Sequence, residues 1–354
     1  MVEKIQVDYI VVGCGLAGIA FAETCLSNKK SIFVFDNGSQ NSSTIAAGIY
    51  NPVILKRFSG LEHAQEQLHS MNQFYHDLQH KLNKNFDNKI PVLRKFVSIE
   101  EQNNWFAASD KESMSAFLST KFYKNKITGF PSPFNYGEVL QTGFVDTEAL
   151  TSAYKNYLQH EKWYSNQEFD HHELQINENS VTYKSILAKH IVFAEGFGLH
   201  ANPYFNNLPL DGTKGEIIII EASGLKLNYI INSSLYIVPL GNSLFKVGAT
   251  YNWASKTCDT TDEGLQELIA KLNGIINCEY TIVSHFAGIR PTVKDRKPLL
   301  GTHHTHSQIH ILNGLGTRGV MLGPWCAKKL YNHIENGIDI ERTHNITRFY
   351  NRSN

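Results

Sequence analysis

The sequence carries no charge imbalance: 33 lysines and arginines face 33 aspartates and glutamates over 354 residues. A chain that binds nucleic acid or an anionic membrane through its overall field carries a marked excess of one sign, so neither partner is expected here. It also lacks any apolar run near the ~20 residues that a spanning helix needs. It opens on strand-like sequence instead of a basic stretch followed by an apolar one. The five cysteines (Cys14, Cys25, Cys258, Cys278, Cys326) are odd in number and nowhere spaced as metal ligands. A reducing cytoplasm is therefore the expected setting. No internal repeat or low-complexity tract interrupts the chain. What remains is 42% hydrophobic material, in a length sufficient for two cores.

The most informative material lies in the first forty-eight residues. An apolar run, Tyr9-Ile10-Val11-Val12, leads into Gly13-Cys14-Gly15-Leu16-Ala17-Gly18, and Ile19, Ala20, Ala22 and Leu26 then repeat at helical spacing. A second apolar run, Ile32-Phe33-Val34-Phe35, delivers Asp36, 23 residues beyond Gly13. Strand, glycine loop, helix, strand and acid make a βαβ unit for a dinucleotide. The glycines allow a tight turn and close approach of a pyrophosphate, and the helix N-terminus offers it N–H donors. A carboxylate about 20 residues on is placed to grip a ribose hydroxyl.

Further along, Leu68, Met71, Phe74, Tyr75, Leu78 and Leu82 predict a long amphipathic helix. Residues 86–143, with Pro91, Pro131 and Pro133, read as short strands and loops. Asp146 is placed to cap a helix through Leu150, Ala153, Tyr154, Tyr157 and Leu158. His190 to Ala194 reads as another parallel strand, ending in Glu195-Gly196. Residues 216–250 turn to β character: strands at Glu216–Ile220, Leu235–Val238 and Leu244–Val247, the last two joined at Gly241-Asn242. Lys246 follows Phe245 and faces the opposite side, where a solvated edge lysine is expected. The strand Gln308–Leu312 enters a glycine turn, Gly314-Leu315-Gly316-Thr317-Arg318-Gly319, and a helix from about Val320. His303, His304 and His306 crowd one loop without spaced partners and read as surface.

These motifs, in this order, resemble the D-amino-acid-oxidase superfamily of FAD-dependent oxidoreductases. Within it they are similar to glycine oxidases and to the FAD half of the bifunctional tRNA methylaminomethyl-uridine-modifying enzyme. The resemblance rests on the first glycine loop, Ala46-Ala47-Gly48-Ile49-Tyr50-Asn51-Pro52, Phe144-Val145-Asp146-Thr147 and Lys214-Gly215-Glu216. It continues through Tyr236-Ile237-Val238-Pro239, Val247-Gly248-Ala249-Thr250, Gly288-Ile289-Arg290-Pro291, Asp295 to Gly301, and Gly314 to Gly319. The fold it implies is α/β: a Rossmann-like FAD-binding domain from 1–85, 144–215 and 288–354. An interleaved α+β substrate domain on an antiparallel sheet would come from 86–143 and 216–287.

The resemblance also implies roles. Gly13, Cys14, Gly15, Leu16, Ala17 and Gly18, with Asp36 and Asn37, would hold the ADP half of FAD. Thr44 and the turn Ala46-Ala47-Gly48 would run beside the flavin ring, and the strand end Ala194-Glu195-Gly196 belongs to the same set. Gly314, Leu315, Gly316, Thr317, Arg318 and Gly319 would turn backbone N–H groups to the flavin N1/C2=O edge. Arg290 would bind a substrate carboxylate through two parallel hydrogen bonds, with Tyr236, Arg318 and Tyr50 around the substrate. From the residues alone Arg290 has another use open to it, an ion pair with Asp295 or Glu195; Tyr236 is equally suited to cross-strand packing. Two departures from the family stand out: Asp36 replaces the commoner glutamate, and Val293-Lys294-Asp295-Arg296 has no cysteine to tether flavin, so noncovalent FAD is expected.

The implied reaction is oxidation of the C–N bond of a small amino acid or N-substituted amine bearing a carboxylate. Hydride would pass to flavin N5, the imine would hydrolyse in water, and no protein acid or base would be required. O2, a quinone or another carrier would accept the electrons. Three alternatives remain open: a tRNA wobble-uridine-modifying oxidoreductase, a carrier-linked amine dehydrogenase, and a non-enzymatic flavin-binding or nucleotide-sensing protein.

Overall fold

A computed structural model describes residues 5–124 and 127–350; residues 1–4, 125–126 and 351–354 lie outside the described residues. The first strand, Ile5–Val12, is apolar along its inner half and pairs in parallel with Ile32–Phe35 on one side and Ile186–Phe193 on the other. Registers Val12↔Phe35 and Val12↔Phe193 bring the C-terminal ends of all three strands level. Tyr164–Ser165 extends the parallel set at one edge and Ile309–Asn313 joins Ile186–Phe193 at the other. The loops after these strands therefore leave from one edge of the sheet, the side on which open α/β sheets bind ligands.

Two helices follow directly from that edge. Leu16–Ser27 packs against Gly319–Asn336, and their buried faces share one apolar cluster with Ala64–Leu82. Gly18 makes the helix–strand contact possible: a Cβ there would lie 1.9 Å from the Gly13 carbonyl oxygen at the end of the first strand and 3.6 Å from the Ala194 Cβ. Pro324 sits inside the C-terminal helix and removes the N–H that would bond to Val320. The Tyr75 hydroxyl donates to that carbonyl at 3.1 Å, so the proline leaves no orphaned acceptor there.

A second eight-stranded sheet runs in the order Thr281–Arg290, Thr213–Glu221, Leu244–Gly248, Tyr236–Gly241, Ile230–Asn232, Val92–Lys95, Tyr136–Val139 and Leu118–Tyr123. All its pairings are antiparallel except Ile230–Asn232 with Val92–Lys95. The architecture is thus the mixed α/β fold with a second, chiefly antiparallel sheet that the sequence implies.

Three local expectations need correction. Residues 86–143 contain a helix, Ile99–Ser109, started by Ser98, whose hydroxyl accepts from the Glu101 amide at 3.0 Å. The hairpin turn sits one residue later than expected, because Gly241 still pairs with Leu244. Asn242 and Ser243 occupy its centre with φ of 49° and 61°, the left-handed pair that matches hairpin twist. Lys246 is not solvated: it is half-buried, and its Nζ donates to the Ala46 carbonyl at 3.1 Å. Burial holds this amine below the usual lysine range. The other elements lie where the periodicity puts them, and Asp146 caps its helix by accepting from the Ala149 amide at 3.0 Å.

Candidate active site

A cavity of about 1490 Å³ opens where the parallel strands end and extends to the second sheet. A pocket for a drug-sized ligand is typically ~300–1,000 Å³, so this one has room for a dinucleotide and a small substrate together. At one end lie Gly13, Gly15, Leu16 and Ala17, with Asp36 and Asn37 beside them. The first helix begins at Gly15 with no side chain capping it, and the Leu16 amide donates to the Ser43 hydroxyl at 3.1 Å. That uncapped end suits a diphosphate by hydrogen bonding and by dipole.

Asp36 reaches the cavity but is already engaged. Its Oδ2 is 2.6 Å from Lys155 Nζ, and its Oδ1 accepts from the Cys14 amide at 3.2 Å. The Tyr164 hydroxyl donates to its backbone carbonyl, also at 3.2 Å. Lys155 and Tyr164 were not visible as site residues in the sequence, since they come from a helix and strand more than a hundred residues away. The wall near Asp36 also receives Phe169 and His171, whose ring nitrogen pairs with Glu195 at 2.9 Å.

The middle of the cavity is lined by Ala46, Ala47 and Gly48 on one side and by Ala194, Glu195 and Gly196 near the strand end. Gly314, Leu315, Gly316, Thr317 and Gly319 close it from the C-terminal turn. Arg318 caps the last long helix with no side-chain bond to it and lines the same wall. A cavity of this length, with an uncapped helix at each glycine turn and a carboxylate after the second strand, fits FAD.

Four of the expected residues are not brought to the cavity wall. The Cys14 side chain is buried in the core beneath the loop, and its thiol is pushed up by that burial. Gly18 is spent on the helix–strand contact described above. Thr44 donates its hydroxyl to the Asn41 carbonyl at 2.7 Å inside the short helix Ser42–Ile45. Tyr50 is buried, its hydroxyl donating to Asp87 Oδ1 at 2.9 Å, so it sits behind the site.

At the far end Arg290 closes the strand Thr281–Arg290. The two carboxylates that might have claimed it are committed elsewhere, Asp295 to Arg348 at 2.7 Å and Glu195 to His171. Among the described residues no acid pairs with Arg290; both Nη atoms reach only the Thr250 carbonyl, at 3.4 Å. The terminal edge of the guanidinium covers Gly215, where a Cβ would lie 2.1 Å from Nη2, 2.3 Å from Nη1 and 2.4 Å from Cζ. The Tyr251 ring packs against the same group, with Cζ 4.5 Å from the centroid. Burial depresses the Arg290 pKa below the arginine norm, which leaves the group charged at neutral pH. Tyr236 stands nearby on the wall, beside Asn51, its phenol raised by burial. Arg94 also lines the cavity but is saturated by Glu101, Asn232 and the Ser233 carbonyl.

Among the described residues, no group of histidines, cysteines and acids is arranged to hold a metal ion. No helix is long and apolar enough to cross a membrane. The stacked imidazoles of His303 and His306 contact Tyr204 and lie off the cavity wall.

Comparison with known proteins agrees with this geometry. Glycine oxidase of Bacillus subtilis (strain 168) is 23% identical over 351 residues, covering 91% of each chain. The structure of glycine oxidase from Geobacillus kaustophilus superposes with a TM-score of 0.78 at 17% identity, over 96% of this chain and 98% of that one. Iminodiacetate oxidase from Chelativorans sp. BNC1 gives 0.78 at 16% identity, over 95% and 98%. At such identities the two structures speak for the fold alone. The family model described as FAD dependent oxidoreductase matches residues 8–332, nearly the whole chain, and the protein belongs to that family of FAD-dependent enzymes.

Proposed function

We propose that this enzyme oxidises the C–N bond of a small amine or amino acid that carries a carboxylate. The observation behind this reading is Arg290: a half-buried guanidinium on the cavity wall, packed against Gly215 and the Tyr251 ring and, among the described residues, lacking an anionic partner. A buried charge is costly unless paired, and a planar donor fork is matched by a carboxylate. Glycine and iminodiacetate, the compounds in the relatives' names, both present a carboxylate one carbon from a C–N bond, which supports the same class.

Bound FAD supplies a two-electron acceptor for the substrate's Cα hydride. The chain's own residues bind and orient. Arg290 fixes the carboxylate, and Tyr236 offers a hydroxyl from the strand Tyr236–Gly241, with two strands between it and that of Arg290 in the same sheet. Of the carboxylates on the wall, Asp36, Glu62, Glu101 and Asp295 each pair with a lysine or arginine and Glu195 with His171, while Glu168 makes no ion pair among the described residues. None of them pairs with Arg290 among the described residues, and in this reading the substrate's amine enters neutral. Acceleration comes chiefly from alignment, which supplies ~7–11 kcal/mol in well-oriented systems.

Arg290→Ala tests the reading. Removing one member of a desolvated charge pair costs ~2–5 kcal/mol, so kcat/KM for a carboxylate-bearing amine should fall roughly 30- to 4,000-fold with the flavin spectrum unchanged. Arg290→Lys should recover only part, lacking the bidentate geometry. Unchanged turnover of such a substrate by Arg290→Ala would remove the arginine from the site.

A further inference from the structure

We propose that Tyr251 is a positioning residue for Arg290, a fixed aromatic plate that keeps the guanidinium flat and dry for a carboxylate. The inference rests on the carboxylate reading of Arg290 and adds the group that makes it work.

Tyr251 belongs to the segment between the strand Leu244–Gly248 and the helix Asp262–Asn273. It lines the cavity yet is 59% exposed, unusual for a large aromatic ring. An exposed ring has given up burial, and what it packs against here is the Arg290 guanidinium, its centroid 4.5 Å from Cζ. Trp253, also on the wall and 45% exposed, lies over Arg296 in the same way, 5.3 Å from centroid to Cζ. One short loop thus lays two rings over two arginines.

The loop is pegged rather than free. Asn252 exchanges both backbone bonds with Lys214, at 2.9 Å each. Lys256 Nζ donates to the Gly212 and Trp253 carbonyls, at 2.8 Å each. Thr261 gives its amide and hydroxyl to the buried Glu216 carboxylate, at 3.0 and 2.8 Å. Lys214, Gly215 and Glu216 are consecutive on one strand, so the strand under the end of Arg290 also anchors the loop that brings Tyr251 to it.

The chemistry follows from that packing. A guanidinium face is its poorly hydrated side, and its hydrogen-bonding capacity lies in the rim. With Gly215 and the Thr250 carbonyl at the Nη edge and the Tyr251 ring against the group, Nε makes no protein hydrogen bond among the described residues, and that side of the rim is the one a carboxylate meets through two parallel bonds. The ring adds attraction to the cation and excludes water from the pair.

The test uses purified holoenzyme and acetate, a carboxylate with no C–N bond to oxidise, titrated by its perturbation of flavin absorbance. Tyr251→Ala should weaken acetate binding, and raise KM for the amine substrate, by about 2- to 30-fold, the span of exposed to desolvated cation–π contacts. FAD content should be unchanged, and KM should move more than kcat. Tyr251→Phe should restore binding, because the ring and not the hydroxyl faces Arg290, while Tyr251→Leu should behave as alanine. Equal acetate affinity in wild type and Tyr251→Ala would overturn the proposal, as would a phenylalanine variant as weak as alanine. Acetate binding that depends on Arg290 and Tyr251, in an enzyme that oxidises no carboxylate-bearing amine, would uphold the positioning role and refute the proposed reaction.

Discussion

Gly215→Ala offers a clean test of how the carboxylate site is built, since it adds one methyl group and removes nothing. Its Cβ would stand 2.1 Å from Arg290 Nη2, 2.3 Å from Nη1 and 2.4 Å from Cζ. Ordinary contact begins near 3.4 Å, so the guanidinium must retreat by about 1.3 Å. It can do so cheaply, being the end of a flexible side chain, but it then leaves its place beside the Thr250 carbonyl and the Tyr251 ring. The fold should therefore survive while the fork loses its aim. Misplacement of about 1 Å can cost ~100-fold in a reaction that depends on alignment, equivalent to about 2.7 kcal/mol of transition-state stabilisation. The assay is steady-state kcat/KM for a carboxylate-bearing amine, with FAD content and thermal midpoint measured in parallel. A variant that keeps FAD and the wild-type midpoint and falls ~100-fold supports this placement of the guanidinium. A variant within about threefold of wild type would show that the guanidinium's position is not what the site uses.

Asp36→Ala should weaken FAD retention by about 1–3 kcal/mol, the value of a charge-assisted hydrogen bond; FAD per chain after dialysis measures it, and stoichiometric retention would deny Asp36 the ribose. Acid precipitation of the wild type should leave FAD in the supernatant, because no cysteine lines the cavity. His303 has a pKa pushed down to about 4 by burial first and by His304 and His306 second. The unfolded chain, at the ordinary 6.5, binds more protons between those values, so stability should be full above pH 6.5 and decline as pH falls toward about 4. Thermal midpoints across that range should slope less in His303→Gln.

The nucleotide half was legible because its signals are local. Gly13 to Gly18 and Asp36 sit within one strand–helix–strand unit, where spacing alone sets geometry. Of the residues expected around the substrate, Arg290, Tyr236 and Arg318 do line the cavity. Thr250, Gly215 and Tyr251, which shape the Arg290 environment, meet it through antiparallel pairing, and no periodicity of the sequence reports such cross-strand neighbours. Lys155 escaped for the same reason, approaching Asp36 from a helix whose apolar pattern says nothing of its polar face. Tyr50 shows the reverse error: adjacent in sequence to the Ala46-Ala47-Gly48 turn, it points behind the cavity toward Asp87. The helix Ile99–Ser109 did announce itself, through Ser98 and Glu101 at capping spacing. Its sparse apolar residues and the prolines around it hid the signal.

The central claim is that the enzyme reads a carboxylate beside the C–N bond it oxidises. Anaerobic titration of the holoenzyme with matched pairs, each an amino acid or N-methyl amino acid and the amine left by removing its carboxylate, tests it most directly. The account predicts that some carboxylate-bearing members abolish the oxidised-flavin absorbance while their decarboxylated partners leave it intact. Equal bleaching by both members of every pair, or bleaching by none of the carboxylate-bearing amines, would contradict it.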